Sequence, residues 1–292
     1  MRLSTSTNIH YMKENKEYIS FIDSMHICSK IGYQVMDINF CDAVKEHCEV
    51  FSDNWRDEVE KIAEEAEILG IEFSQCHLPF YNVIDSKFEN RELYEKMISR
   101  CIEASGRLGV KWAILHAGTA IWDNRSIKVA KEKNIEYFKP QLQIAAKHNL
   151  GIAIENMADF LVEGRPRRRY TANVEELCDL VDSLESDNVG ICWDFGHANL
   201  TGCDQVQSLK YVGNRLKATH VADNLGIYDD HIAPFHGNID WTSIMKVLKE
   251  INYTGDFTYE IHNATMRMPD ALRQAALEYT FEIGKYLLSI AE

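Results

Sequence analysis

Val189-Gly190-Ile191-Cys192-Trp193-Asp194-Phe195-Gly196-His197 is the stretch on which the reading of this chain turns. It opens with a short apolar run of the kind that forms a buried strand. An acid closes the run, and a histidine follows three residues later across a glycine. Carboxylate and imidazole delivered where a strand becomes a loop are ligands for a divalent metal. An aspartate in that place more often caps the next helix or anchors a turn, so the stretch alone decides little. Its recurrence along the chain carries the argument.

One unit returns without repeating its sequence. A helical stretch ends in glycine, a short apolar run follows, and a polar residue closes it. Ser29-Lys30-Ile31-Gly32 leads to Val35-Met36-Asp37-Ile38-Asn39, and Ile68-Leu69-Gly70 leads to Ile71-Glu72-Phe73-Ser74-Gln75-Cys76-His77. Arg107-Leu108-Gly109 leads to Val110-Lys111-Trp112-Ala113-Ile114-Leu115-His116, and Asn149-Leu150-Gly151 leads to Ile152-Ala153-Ile154-Glu155. Each glycine sits where a helix C-cap calls for a left-handed residue. Leu3–Thr7, Val189–Trp193, Leu216–His220 and Phe257–Glu260 bring the candidate strands to eight, spaced at roughly 27–40 residues, the length of a strand-helix unit. Between them the helical period is visible, with apolar Val59, Ile62, Ala66 and Leu69 on one face. Asn173 with Glu176 suggests a capped start for the helix through Leu184. Eight such units in 292 residues predict an α/β chain folded as a (β/α)8 TIM barrel, a single domain over 1–292. The absence of G-x-G-x-x-G after the first strand argues against a dinucleotide-binding sheet.

Strand parity agrees. With Glu155 pointing into the barrel, Ala153 and Gly151 share its side, and Ile152 and Ile154 face the helices. Asp194 brings Cys192 and Gly190 inward, His220 brings Ala218, and Glu260 brings Thr258. Small residues lie below the polar ones, as a barrel with a roomy polar mouth requires.

Bulk composition sets bounds. Apolar residues make up 46% and charged residues 26%, enough for a substantial core. No run of about 20 apolar residues occurs and the N-terminus lacks a signal-type apolar segment, so a cytoplasmic protein with no membrane partner is expected. The eight scattered cysteines without a C-x-x-C read as reduced thiols. A net charge of −14 argues against nucleic acid as a partner.

The polar strand ends are His77, His116, Glu155, Asp194, His220 and Glu260. In a barrel all C-terminal strand ends converge on one face, where active sites are built. Acids and imidazoles gathered there repel or stay unsatisfied without a cation, which a divalent metal resolves. His197 and Asp229-Asp230-His231 add further ligand types, although an acidic turn also explains the latter. Arg165-Pro166-Arg167-Arg168-Arg169 reads either as a charge-balancing loop or as capture of an anionic group, through Arg165 and Arg167, on a small substrate. Phe80, Tyr81, Trp122 and Phe160 are aromatic candidates for the mouth, with Trp122 and Phe160 expected on the substrate.

Ile154-Glu155-Asn156, Trp193-Asp194-Phe195-Gly196-His197, His220-Val221-Ala222-Asp223-Asn224 and Tyr259-Glu260-Ile261 resemble the xylose-isomerase-like barrels. That superfamily holds sugar-phosphate isomerases and epimerases, ketose 3-epimerases, inosose dehydratases and endonuclease IV-type apurinic endonucleases. The stretch from Asp229 to Trp241 also resembles the loop into the seventh helix of the isomerase-like members. The resemblance implies a metal quartet of Glu155, Asp194, His220 and Glu260 holding Zn2+, Mn2+, Mg2+ or Co2+. It further implies an isomerase or epimerase of a small sugar, sugar phosphate or polyol derivative. Glu155 and Glu260 would transfer the proton through a metal-stabilised enediolate, with His197 binding substrate oxygen or assisting. Two positions depart from the ketose 3-epimerases. Leu161 stands where they carry a further Glu, and Gly226 where they carry a substrate-contacting Arg, which points away from a free ketohexose. The ligand types at His77, His116, Glu155, Asp194, His197, His220, Asp229, His231 and Glu260 also match the zinc cluster of the apurinic endonucleases. Hence the alternatives: a multinuclear zinc phosphodiesterase, with His77, His116, His197, Asp229 and His231 as additional ligands, or a non-catalytic metal-binding barrel. The resemblance also implies a homodimer.

Overall fold

The computed structural model describes residues 1–120, 127–162 and 165–291, with backbone alone for 160–162 and 165–167. Eight strands form one sheet: β1 (Leu3–Ser6), β2 (Val35–Asn39), β3 (Glu72–His77), β4 (Trp112–His116), β5 (Gly151–Glu155), β8 (Val189–Asp194), β9 (Leu216–His220) and β10 (Phe257–Tyr259). Their order is β10-β1-β2-β3-β4-β5-β8-β9, all pairings parallel. A parallel bridge between Val221 and Tyr259, just beyond the end of β9, joins the two outer strands and closes the cylinder. At that joint the Thr219 hydroxyl accepts from the Thr258 N–H and donates to the Asp256 carbonyl, doing by side chain what a ladder does by backbone. The result is a (β/α)8 barrel. The strands β6 (Phe160–Val162) and β7 (Arg165–Arg167) pair antiparallel as a small hairpin in the loop after β5.

Helices fill the crossovers because their apolar stripes need cover. In α2 (Trp55–Leu69) the stripe is Trp55, Val59, Ile62 and Ala66, all buried, and Gly70 closes the helix in the left-handed region at φ 65°. In α5 (Val174–Ser183) the Asn173 side chain accepts from the Glu175 and Glu176 N–H groups, the expected cap. One expectation fails here. Gly151 caps no helix: Asn149, at φ 61°, takes the left-handed place, and Gly151 pairs within β5. Its lack of a side chain serves packing, since a Cβ there would lie 2.3 Å from the Trp112 ring.

The main core lies between strands and helices and includes Ile152, Ile154, Ile191, Trp193, Phe257 and Tyr259, the outward set that parity gives. Inside the barrel Ile114, Ala153, Cys192 and Ala218 form a separate cluster with Trp112 against it. Opposite them the interior is polar. Gln75 donates to Asp37 at 3.0 Å and accepts from Thr258 at 3.2 Å. The small residues expected below Glu155, Asp194, His220 and Glu260 are in place, with Thr258 the one on β10, while β2, β3 and β4, which that reading did not cover, turn Asp37, Gln75 and Ile114 inward. Among the described residues no helix is long and apolar enough to cross a membrane.

Candidate metal centre and active site

His77, His116, Glu155, Asp194 and His220 are the last residues of β3, β4, β5, β8 and β9. Glu260 follows β10 by one residue, because β10 ends at Tyr259. All six are buried, so each carries a polar group that must find a partner at the rim or remain unpaired.

Glu155 is the hub. Its Oε2 lies 3.0 Å from His116 Nε2, 3.2 Å from His220 Nδ1 and 3.5 Å from His77 Nε2, and its Oε1 lies 3.3 Å from His197 Nδ1. His220 Nδ1 also lies 3.6 Å from Glu260 Oε2, and its Nε2 faces Asp37 at 3.8 Å. His77 is fixed from behind, its Nδ1 on the Leu78 carbonyl at 2.9 Å and beside Cys41 Sγ at 3.2 Å.

Asp194 does two things at once. Oδ1 accepts the His197 N–H at 2.6 Å and caps α6 (Phe195–Thr201), so the helix-cap reading of the opening stretch is correct. Oδ2 is buried and has no hydrogen-bond partner, so the ligand reading is not displaced by it. Asn156 locks the turn: its Oδ1 accepts from the Asp194 N–H, its Nδ2 donates to the Asp194 carbonyl, and its own carbonyl accepts from His197 Nδ1.

Asp229 and His231 join from the loop after β9. Asp229 Oδ2 lies 3.3 Å from His197 Nε2 and 3.2 Å from His231 Nε2, while His231 Nδ1 sits 2.8 Å from the Glu260 carbonyl. Both imidazoles thus anchor Nδ1 on a backbone carbonyl and turn Nε2 toward one carboxylate, the arrangement that outer partners impose on metal-ligating histidines.

The electrostatics follow from crowding. Burial pushes Glu155 toward its neutral form, but His220 and His116 outweigh it and hold the carboxyl well below its usual range. Glu260 is lowered in the same way, burial being overcome by His220 and His231. Asp194, with less help, is pushed up to about 6 by burial against the pull of His197. Burial works against the cationic form of His220, yet Cys192, Glu155 and Glu260 raise it well above the usual range. His116 goes the other way: burial keeps it neutral despite Glu155, so its Nε2–H donates to a carboxylate rather than pairing charge with it.

These residues fit a divalent metal. His220 Nδ1 is buried without a hydrogen-bond partner, as is Asp194 Oδ2. Among the described residues, four groups hold ligand atoms within 4.8 Å of one another: His77–His116–Glu155, His77–His220–Glu260, Glu155–Cys192–His220 and Glu155–Asp194–His197. Glu155 belongs to three of them, and none of the four unites Glu155, Asp194, His220 and Glu260. Mixed imidazole and carboxylate donors of this kind suit zinc or manganese.

Sequence reasoning passed over Asp37, although its strand was in view; a second polar position on an otherwise apolar run was the signal. Asn156 and Cys41 carried no comparable signal, since only folding brings them beside Asp194 and His77. Phe80 stands at the mouth, its ring 4.8 Å from His116 and 5.6 Å from His77, whereas Tyr81 is buried against Phe88 and Tyr94. Trp122 and the side chains of Phe160, Arg165 and Arg167 lie outside the described residues. Of the basic run, Arg168 pairs with Glu176.

Residues 25–282 match the xylose isomerase-like TIM barrel family. The chain belongs to that family. Its relatives include the inosose isomerase of Bacillus velezensis, 26% identical over 247 residues, 81% of either chain. A probable endonuclease 4 of Mesomycoplasma hyopneumoniae is 26% identical over 178 residues, 56% of this chain and 59% of that one. The family fold is matched by the crystal structure of a D-tagatose 3-epimerase-like protein, with TM-score 0.79, 23% identity and coverage of 100% and 98%. Against two uncharacterized relatives, from Methanocaldococcus jannaschii and Sinorhizobium fredii, the chain spans 64% and 51% of their length.

Proposed function

We propose that this chain is a metal-dependent isomerase or epimerase of a small sugar or polyol derivative. The observation that carries it is the pair of buried ligand atoms that make no hydrogen bond, Asp194 Oδ2 and His220 Nδ1, in a cluster that also holds two ionised glutamates. Glu155, Asp194, His220 and Glu260 would hold the ion. When bound, it supplies Lewis acidity that makes a C–H beside a chelated carbonyl acidic. The chain's own residues do the rest. The Glu260 side chain is 11% exposed against 1% for Glu155, so Glu260 is the carboxylate better placed to take a proton from substrate carbon. Glu155, ionised at rest, would relay to the other face a proton taken from His197, whose Nδ1 lies 3.3 Å from its Oε1 and whose pKa the surrounding carboxylates raise despite burial. His197, tied to the Asn156 carbonyl, orients a substrate oxygen, and Phe80 covers the mouth. Two carboxylates from different strands give the two-sided proton transfer that inversion or isomerisation needs. The names of the inosose isomerase relative and the epimerase-like structural neighbour agree with this reading.

The test is exchange of substrate hydrogen with solvent deuterium. Glu155→Gln and Glu260→Gln should each lower it by about a hundredfold or more, while circular dichroism stays unchanged. Undiminished exchange in either variant removes that glutamate from the mechanism.

A second reading has its own support. His197 and His231 both turn Nε2 toward Asp229, offering more ligands than one ion needs, as a multinuclear zinc phosphodiesterase would require. Metal analysis separates the two. One ion per chain favours the isomerase, and two or three ions with cleavage of abasic-site DNA favour the phosphodiesterase.

A further inference from the structure

Beside the cluster, in the sector of the rim built from the ends of β1 and β2, lies a cavity of about 790 Å3. It sits between the loop that follows β1 and the loop that follows β2. It adjoins the catalytic cluster through Cys41, which lines it and touches His77 at 3.2 Å. Its volume is toward the upper end of the ~300–1,000 Å3 typical of small-molecule pockets, and a single six-carbon ring fills only a minor part of it.

Its lining has a definite chemistry. Tyr18 and His47 stack on each other, with ring centroids 3.5 Å apart and planes 10° off parallel, and Tyr11 lies nearby on the same wall. Such flat faces suit the C–H side of a sugar ring. Asn39, at the end of β2, is 92% buried and lines the cavity. Its Oδ1 accepts from the Cys41 N–H at 3.0 Å, which fixes the amide orientation. Its Nδ2 has no hydrogen-bond partner. A buried, pre-oriented amide donor without an acceptor is what a ligand hydroxyl or ring oxygen would complete. The wall carries Glu17, Asp42 and Glu49 against Lys16 and Lys45, and Lys45 is paired with Asp42 at 2.8 Å. Acids outnumber cations, so the cavity disfavours a phosphate and suits a neutral polyol.

We infer that this cavity is a subsite for a second sugar ring, making the substrate an unphosphorylated glycoside of the reacting keto-sugar rather than a free monosaccharide. The inference rests on the sugar isomerase reading. It requires no change in the chemistry at Glu155 and Glu260, only that the reacting ring carry a neutral glycosyl group directed toward Asn39 and Tyr18.

Two measurements test it on the metal-loaded protein. The first is calorimetric binding of maltose against glucose, which needs no turnover. Maltose should bind about tenfold more tightly, the worth of one added hydrogen bond and a stacked ring. Asn39→Asp keeps the acceptor for Cys41 and replaces the donor; Tyr18→Ala removes a ring that is 41% exposed and leaves the backbone bridge to Met12 in place. Each should cut the maltose preference to about twofold or less, with the melting temperature of Tyr18→Ala unchanged. Equal affinity for the two sugars, or a preference untouched by both variants, overturns the subsite. The second is solvent deuterium uptake by fructose and by its glycosides maltulose, lactulose and isomaltulose. A higher kcat/KM for at least one glycoside supports the inference, and a higher value for fructose than for all three overturns it. Failure of every sugar to exchange while the maltose preference persists counts against the isomerase chemistry and leaves the subsite standing.

Discussion

His220 Nδ1 and Asp194 Oδ2 are expensive atoms to leave as they are. Each is buried and makes no hydrogen bond, although His220 Nδ1 lies 3.2 Å from Glu155 Oε2, and a lone unmade hydrogen bond costs about 1–3 kcal/mol. A cation satisfies both at once, so metal should stabilise the fold as well as enable turnover. Adding Zn2+ or Mn2+ to chelator-treated protein should raise its melting temperature. Asp194→Asn should weaken metal affinity by about tenfold or more in a competition titration while α6 stays capped, because the amide oxygen still accepts the His197 N–H. If metal leaves the melting temperature of the parent chain unchanged, the two atoms are not ligands. The ligand types at the rim were legible in the sequence because each closes an apolar run. The geometry was not. That Asp194 caps a helix with one oxygen and keeps the other free depends on where His197 and Asn156 fall after folding, and spacing along the chain does not encode it.

At the scale of elements, the loop after β9 is organised by Asp223. Its carboxylate accepts from Trp241 Nε1 at 2.8 Å and from the backbone N–H groups of Asn224, Phe235 and Ile239. Asp223→Ala should cost about 3 kcal/mol or more in denaturant unfolding, since it orphans three buried donors and a partly buried fourth. It should also lower activity, because Asp229 and His231 ride on this loop. A second clasp holds the N-terminal segment to α10 (Asp270–Ala291). Arg273, 2% exposed, donates to His10 Nε2 at 2.9 Å and to the Met268 carbonyl. His10 must therefore be neutral at Nε2, and burial, then the Arg273 charge, lower its pKa, with Asp270 opposing. A depressed folded-state pKa stabilises above the unfolded value, near 6.5, and that stability is lost as pH falls through the folded value. Unfolding free energy should decline on acidification below about pH 6.5, and His10→Gln should flatten that limb. Helix positions were readable from period and caps, as Asn173 shows. Gly151 was misread because helix-ending glycines and packing glycines look alike until Trp112 is seen lying over one of them.

For the whole molecule, eight alternating units without a G-x-G-x-x-G after the first strand were enough to favour a closed parallel barrel over an open doubly wound sheet. The interior was only half legible. Parity gave Ala153, Cys192 and Ala218, and two-residue steps back from His77 and Asn39 reach Gln75 and Asp37, but that these two polar side chains bond each other across the interior emerges only on folding. The floor of the barrel is set by Trp112 over Gly151. Gly151→Ala should destabilise by about 1–3 kcal/mol, because its Cβ would meet the ring at 2.3 Å and the Asn188 carbonyl at 2.8 Å, and the latter cannot rotate away. Chemical denaturation checks this, and an unchanged midpoint would mean that Trp112 moves freely.

The joint between β9 and β10 has a mechanical meaning. A cylinder made of staves is as tight as its loosest seam, and here one backbone bridge and one threonine hydroxyl do the stitching. His220 stands on one lip of that seam and Glu260 on the other. Thermal breathing should therefore widen the gap between these two before any other part of the rim loosens, so an ion held as proposed should leave on warming well below the temperature at which the helices melt.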